Sequence, residues 1–175
     1  MPKVIMIIAY RGFRDEEYFT PKEVLEKADV KVITASNQKG TAMGADGGEV
    51  EVNLSIYEIN RVDFDAMVFI GGSGCLANLD NEYSYKAARD AVSQGKILAS
   101  ICISPIILAK AGVLEGKKAT VWSSPMDRGP VGILEDNGAI YEDKSVVVDG
   151  KIITGNGPGA AEEFGRAIVG VLTGK

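Results

Sequence analysis

The chain is punctuated by short apolar runs, each cut off by glycine, proline or charge. Lys3–Ala9 contains the run VIMIIA with no polar position inside it, as in a strand buried on both faces. A polar stretch from Arg11 to Glu16 follows. Tyr18, Val24, Leu25 and Ala28 then fall at roughly helical spacing, with Pro21 limiting where a regular helix runs unbroken. Val30–Ala35 alternates and predicts a second strand. Asn37–Gly48 is rich in glycine and polar residues, and Glu49–Leu54 alternates strictly, which suits a small antiparallel excursion with one wet face. Ala66–Ile70 predicts a third buried strand, ending in Gly71-Gly72-Ser73-Gly74.

Tyr83–Gln94 predicts a helix stopped by Gly95, and Ile97–Ile101 a fourth buried strand. Pro105–Ala111 reads as a short helix closed by Gly112, and Ala119–Trp122 as a short strand. Ser145–Val148 and Lys151–Thr154 predict a hairpin joined through Asp149-Gly150. Gly157-Pro158-Gly159 leads into a last helix with Phe164, Ile168, Val169 and Leu172 on its apolar face. Buried strands alternating with helices predict one α/β domain over residues 1–175, its mostly parallel sheet covered on both sides. There is no internal repeat, low-complexity tract or linker, and the Pro and Gly clusters read as turns.

Charge and composition narrow the function. A net charge of −5 lacks the basic footprint that grips phosphate backbones or anionic membranes, so neither nucleic acid nor a membrane is an expected partner. No apolar run approaches the length that spans a bilayer, and the apolar start reads as a strand and not as a signal peptide. Two cysteines, Cys75 and Cys102, make no disulfide framework and suit a reducing, cytoplasmic setting. The chain has no histidine. Cys–His and Ser–His–Asp machinery therefore cannot be built from it, histidine-based zinc sites are excluded, and two cysteines are too few for a cysteine-rich one. Any general base must be a carboxylate, lysine, tyrosine, thiolate or bound water.

The segment Lys96–Ala109 holds the candidate chemistry. An apolar strand runs straight into a helix, with Cys102 at the turn, Ser104 suited to the N-cap and Pro105 to the first helical position. Free amides and the positive end of the helix dipole there favour a thiolate, so a lowered thiol pKa is expected. Ser100 and Ser104 flank Cys102 as the small residues a nucleophile elbow needs. The alternative reading is a small buried hydrophobe at the end of a strand. Gly71-Gly72 ends another strand in the same way, so the amides of Gly72 and Ile103 are candidates for an oxyanion hole. Cys75 reads as structural. The loop after the first strand carries Asp15, Glu16 and Glu17, which as a group suit a solvated helix start. Lys110, Lys117 and Lys118 read as a solvated charged face.

Glu17-Tyr-Phe-Thr-Pro21, Ile70-Gly-Gly72, Ala99-Ser-Ile-Cys102 with Pro105, and Gly157-Pro-Gly-Ala-Ala161 with Phe164 occur in one order over essentially the whole chain. In these four motifs the chain resembles the ThiJ/PfpI superfamily, in particular its DJ-one branch with the bacterial YajL-like proteins. The resemblance implies a flavodoxin-like α/β fold, a three-layer sandwich of class I glutamine amidotransferase type. It implies a homodimer, for which Trp122, the Met43-Gly44 region and the last helix are candidate contacts. It also separates the acids: the family's glutamate stands four residues before a proline, which selects Glu17, protonated and hydrogen-bonded to a Cys102 thiolate. The site it implies is Cys102 and Glu17 as catalytic pair, with Gly71, Gly72, Ile103 and Ser124 around the substrate and no cofactor or metal.

The chain departs from the pattern in two places. Peptidase-like members carry histidine after the cysteine, where this chain has Ile103, and the human branch has a histidine before a proline where this chain has Ser124-Pro125. Both departures disfavour peptidase chemistry. The first expectation for function is a cofactor-free glyoxalase or deglycase acting on methylglyoxal, glyoxal or their adducts. The alternatives are a redox-sensing or chaperone-like stress protein working through Cys102 oxidation, and, more weakly, an intracellular cysteine peptidase.

Overall fold

The run VIMIIA becomes an interior strand of a seven-stranded sheet in the computed structural model, which describes residues 1–175. Val4 to Ala9 are all fully buried, which explains why the run has no polar position. In chain order the elements begin with β1 (Lys3–Ile8), β2 (Arg11–Phe13), α1 (Asp15–Lys27), β3 (Lys31–Ser36), β4 (Gly40–Gly44), β5 (Glu49–Val52) and β6 (Leu54–Ser55). After a 3-10 turn at Ile56–Arg61 come β7 (Ala66–Phe69), α2 (Cys75–Leu79), α3 (Glu82–Ser93), β8 (Ile97–Ile101) and α4 (Pro105–Lys110). The chain ends with β9 (Lys118–Ala119), α5 (Gly129–Asp136), β10 (Ile140–Tyr141), β11 (Val146–Asp149), β12 (Ile152–Gly155) and α6 (Ala161–Thr173).

The main sheet has the order β11-β12-β8-β7-β1-β3-β6. All neighbours are parallel except the edge strand β11, which is antiparallel to β12. Alternate side chains serve two cores. Val4, Met6 and Ile8 pack with Leu25, Phe164 and Ile168 on the α1 and α6 side. Ile5, Ile7 and Ala9 pack with Ala87, Ala91 and Ile107 on the α3 and α4 side. This is the mostly parallel, three-layer α/β arrangement expected from the sequence. No helix is long and apolar enough to cross a membrane.

Several local expectations are corrected. α1 runs unbroken through Pro21, whose missing N–H forfeits only the bond to the Glu17 carbonyl while its ring is buried. The polar stretch Asn37–Gly48 contains β4, which exists because Glu49–Val52 folds back on it and β2 pairs along its other side. The strand expected at Ala119–Trp122 is confined to Lys118–Ala119, paired with β10. Helices α2 and α5 had no clear apolar periodicity to announce them. The hairpin forms as expected, but Asp149 pairs with Ile152, so its loop is Gly150-Lys151.

Candidate active site at the carboxyl ends of the strands

Parallel strands deliver their loops to one edge of the sheet. Register fixes which loops meet: Ile7 lies beside Phe69, and Phe69 beside Ser100. The residues that follow, Gly71-Gly72 after β7 and Cys102 after β8, therefore emerge together. The loop after β1 returns through β2, and the Arg14 amide donates to the Gly71 carbonyl at 2.9 Å, which sets the start of α1 against the same edge.

The three adjacent acids have three fates. Asp15 accepts the amides of Asp46 and Gly48 at 2.9 and 2.7 Å and so pins the β4–β5 turn to α1. Glu16 faces solvent. Glu17 is fully buried, and its Oε1 accepts the Gly71 amide at 3.0 Å. Its other oxygen has no partner among the protein's hydrogen bonds, and the Cys102 thiol interacts with the carboxyl. Gly71 must be glycine here: a methyl group on it would stand 2.7 Å from Glu17 Oε1 and 2.8 Å from Cys102 Cβ. Its amide is thus spent on orienting Glu17, a correction to its expected place in substrate binding.

Cys102 has a φ of +66°, a left-handed conformation unusual for any residue but glycine. The surroundings hold it there. Its amide donates to Gly155 at 2.9 Å and its carbonyl accepts from Trp122 at 2.8 Å. Ser104 does not cap α4, since its backbone is already helical. Its buried hydroxyl instead turns back, accepting the Ile101 amide at 3.0 Å, within 3.0 Å of the Phe69 carbonyl and 2.5 Å of Ser100 Oγ. The two serines beside the cysteine are thus the tie that holds the elbow closed. Ser104→Ala is expected to lower stability by about 1–3 kcal/mol by stranding buried backbone groups. A urea midpoint equal to the wild type's would show that the tie carries nothing.

Burial sets the electrostatics. It raises the Glu17 carboxyl from 4.5 to about 7, against the pull of the hydrogen bonds from Cys102 and Gly71 and of the Arg14 charge. Burial also pushes the Cys102 thiol up, and the Glu17 carboxylate adds to this; the Ile103 amide acts the other way but is outweighed. The lowered thiol pKa expected from the helix terminus is therefore not what this environment produces. Above pH about 7 the pair shares one proton, and the two groups titrate together. Cys75 is fully buried behind the glycine turn, where burial raises its thiol too.

Cys102 opens into a cavity of about 490 Å³ whose wall includes Glu17, Gly72, Ile103 and Trp122. The Ile103 amide points at the Cys102 sulfur, and the Gly72 amide has no acceptor within the protein. An amide bonded to the sulfur and an unpaired amide on the cavity wall are the type of donor that an oxyanion takes. Ser124 is not on this wall. Its hydroxyl accepts the Asp127 amide at 3.0 Å and shapes the loop behind Trp122. Trp122, expected only as a contact between subunits, lies on the wall instead. Arg14 was not anticipated at all: it is a lone basic residue before an acidic cluster, and nothing in its neighbours says that the β2 turn brings it to the cavity.

Comparison with known proteins agrees with this fold. Residues 2–170 match the DJ-1/PfpI family. An uncharacterized protein of Methanocaldococcus jannaschii is 40% identical over 95% of this chain and 80% of its own length. A protein of Pyrococcus furiosus named deglycase PfpI is 34% identical over 96% of this chain and 98% of its own. Among solved structures, a ThiJ/PfpI domain protein of Brachyspira murdochii superposes with a TM-score of 0.92 at 34% identity, covering 99% of this chain and 97% of that one. Drosophila melanogaster DJ-1beta superposes at 0.87 with 30% identity, covering 99% and 91%. With a match over nearly its full length and the same fold, the chain belongs to the DJ-1/PfpI family.

Proposed function

We propose that the protein is a cofactor-free enzyme of the glyoxalase or deglycase type, acting on small α-dicarbonyls or their adducts through Cys102 and Glu17. The observation that carries this reading is the buried Glu17 carboxyl, raised to about 7 and paired with the Cys102 thiol, one of its oxygens having no other partner in the protein. A carboxyl with that pKa can both take and return a proton at neutral pH, the work histidine does elsewhere. Relatives from Pyrococcus furiosus and Escherichia coli are named deglycases, which supports the same class of chemistry.

With methylglyoxal, the sulfur adds to the aldehyde carbon, the thiol proton ends on the new oxygen, and a hemithioacetal forms. Glu17 removes the proton from that carbon and returns it to the neighbouring carbon, which converts the adduct to a lactoyl thioester. Water cleaves the thioester, releasing lactate and restoring the thiol. The amides of Gly72 and Ile103 stabilise the oxyanion of each tetrahedral stage. Methylglyoxal plus water gives lactate, so no redox partner is needed.

The test follows methylglyoxal loss and D-/L-lactate formation in wild type, Cys102→Ser and Glu17→Gln, without added thiol or amine buffer. Lactate from the wild type alone is expected. Aldehyde lost one-for-one with protein and no lactate made would mean that the cysteine only traps it.

The unequal exposure of the two cysteines favours a second reading, redox sensing at Cys102. Cys75 has no exposed surface, whereas Cys102 opens into the cavity. Mild peroxide is then expected to add two oxygens to Cys102 alone. Equal oxidation of Cys75 in intact-mass and peptide measurements would count against it.

A further inference from the structure

Arg14 is the only cation on the wall of the Cys102 cavity. Its backbone is fixed, with the amide bonded to Gly71 and the carbonyl to the Tyr18 amide. Its guanidinium makes no hydrogen bond within the protein; Nε is closed off from solvent without a partner, while the side chain as a whole is 42% exposed. The nearest carboxylate, Asp46, stands 4.0 Å from Nε and is itself 61% exposed. A shielded guanidinium N–H without an acceptor is unfavourable, and its planar fork of donors matches the oxygens of a carboxylate or phosphate. Arg14 does favour the charged form of Glu17, but less than either hydrogen bond to that carboxyl does. Easing that charge would also leave no reason for an unmet donor beside the cavity. Apart from the reacting pair, Ser73 and the Gly72 amide, the wall is Ala45, Leu76, Ile103, Trp122 and Pro158. An anion entering the cavity has one charged partner to find.

We infer that Arg14 is the specificity-determining residue of this cavity, and that, on the chemistry proposed above, its substrates are α-oxoaldehydes bearing a carboxylate or phosphate at the end remote from the aldehyde. The aldehyde carbon meets Cys102 while the anion pairs with the guanidinium. Methylglyoxal lacks that group and leaves Arg14 unmet. Water is again the only co-reactant, and the product is a 2-hydroxy acid carrying a second anionic group.

Two experiments separate this inference from the turnover reading. The first needs no turnover. Cys102 is alkylated with iodoacetate or iodoacetamide; in both, sulfur displaces iodide and the thiol proton leaves to solvent. The iodoacetate-to-iodoacetamide rate ratio is expected to fall about tenfold in Arg14→Gln, as for loss of a charge-assisted pair, and to recover in part in Arg14→Lys. An effect of Arg14 on thiol nucleophilicity acts on both reagents and cancels in the ratio; without Arg14 the Glu17 carboxyl is less ionised, which favours iodoacetate and so works against the expected fall. An unchanged ratio overturns the inference. Inorganic phosphate and propanoate, tried as protectors against iodoacetamide, tell which anion the site prefers; protection by neither also overturns it.

The second experiment compares kcat/KM for 4,5-dioxopentanoate with that for 2-oxopentanal, which has the same chain length and no charge. Wild type is expected to favour the anion by about tenfold, mostly through KM, and Arg14→Gln to lose that preference. An equal preference in the variant overturns the assignment. Turnover of neither compound, with the alkylation ratio still falling, would remove the dicarbonyl chemistry and leave the anion site standing.

Discussion

Glu17→Gln is expected to abolish dicarbonyl turnover and at the same time to make the protein more stable, by a margin that widens with pH. The loss of activity is about 100- to 10,000-fold, the usual contribution of a positioned acid and base. The gain in stability comes from burial. The folded protein holds the Glu17 proton up to about pH 7, whereas the unfolded chain releases it near 4.5. Between those values the native state binds more protons than the unfolded one, so wild-type stability falls as pH rises through this window and is level above it. The full difference amounts to about 3 kcal/mol. Glutamine does not ionise, so the variant escapes the decline. Urea unfolding at pH 4 and pH 8 should show a small gap between the proteins at the lower pH and a large one at the higher. The same gap at both would mean that the carboxyl is not ionising in the folded state. Wild-type turnover should rise through pH about 7 as the pair passes from two protons to one, and then level off.

The destabilised carboxyl explains which parts of the site could be read from residues alone. Ile97–Ile101, Cys102 and Pro105 announce themselves locally: a buried strand, a small nucleophile and a proline at the first helical turn leave little room for another arrangement. Gly71-Gly72 was legible for the same reason, as a strand end that needs no side chain. Glu17 was not. Three adjacent acids present the same local pattern, and the one that faces inward depends on how α1 is pinned by Asp15 and by the Arg14–Gly71 bond, contacts between residues far apart in the chain. Only the family resemblance selected Glu17.

The helix-terminus rule that predicted a low thiol pKa counted the amide of Ile103 and missed the burial and the carboxyl opposite, which no short window of sequence contains. Ser104 was placed correctly and given the wrong task, because capping and back-bonding call for the same residue and differ only in backbone dihedrals. β4 failed for a related reason: Gly40–Gly44 has little strand character of its own and is held by its neighbours on both sides.

Gly72→Ala is expected to lower stability by about 3 kcal/mol or more, among the largest effects available to a single methyl group. Gly72 has a φ of +126°, where an L side chain is strained. The added carbon would also stand 2.4 Å from both the Arg14 amide nitrogen and the Gly12 carbonyl oxygen. Both obstacles are backbone, so no rotamer change relieves them, and the segment that must yield is the one leading into α1. Gly71→Ala differs in kind. Its obstacles are the Glu17 carboxyl and Cys102 themselves, so the methyl group should separate the pair and remove turnover even where the protein still folds. Gly132 in α5 supplies the control: a methyl there meets nothing within 4 Å, and alanine should leave stability unchanged or raise it by up to about 1 kcal/mol. Denaturant midpoints of the three variants decide the matter. If Gly72→Ala unfolds with Gly132→Ala, the loop after β2 has slack, and the placement of Glu17 against Cys102 rests on α1 packing alone.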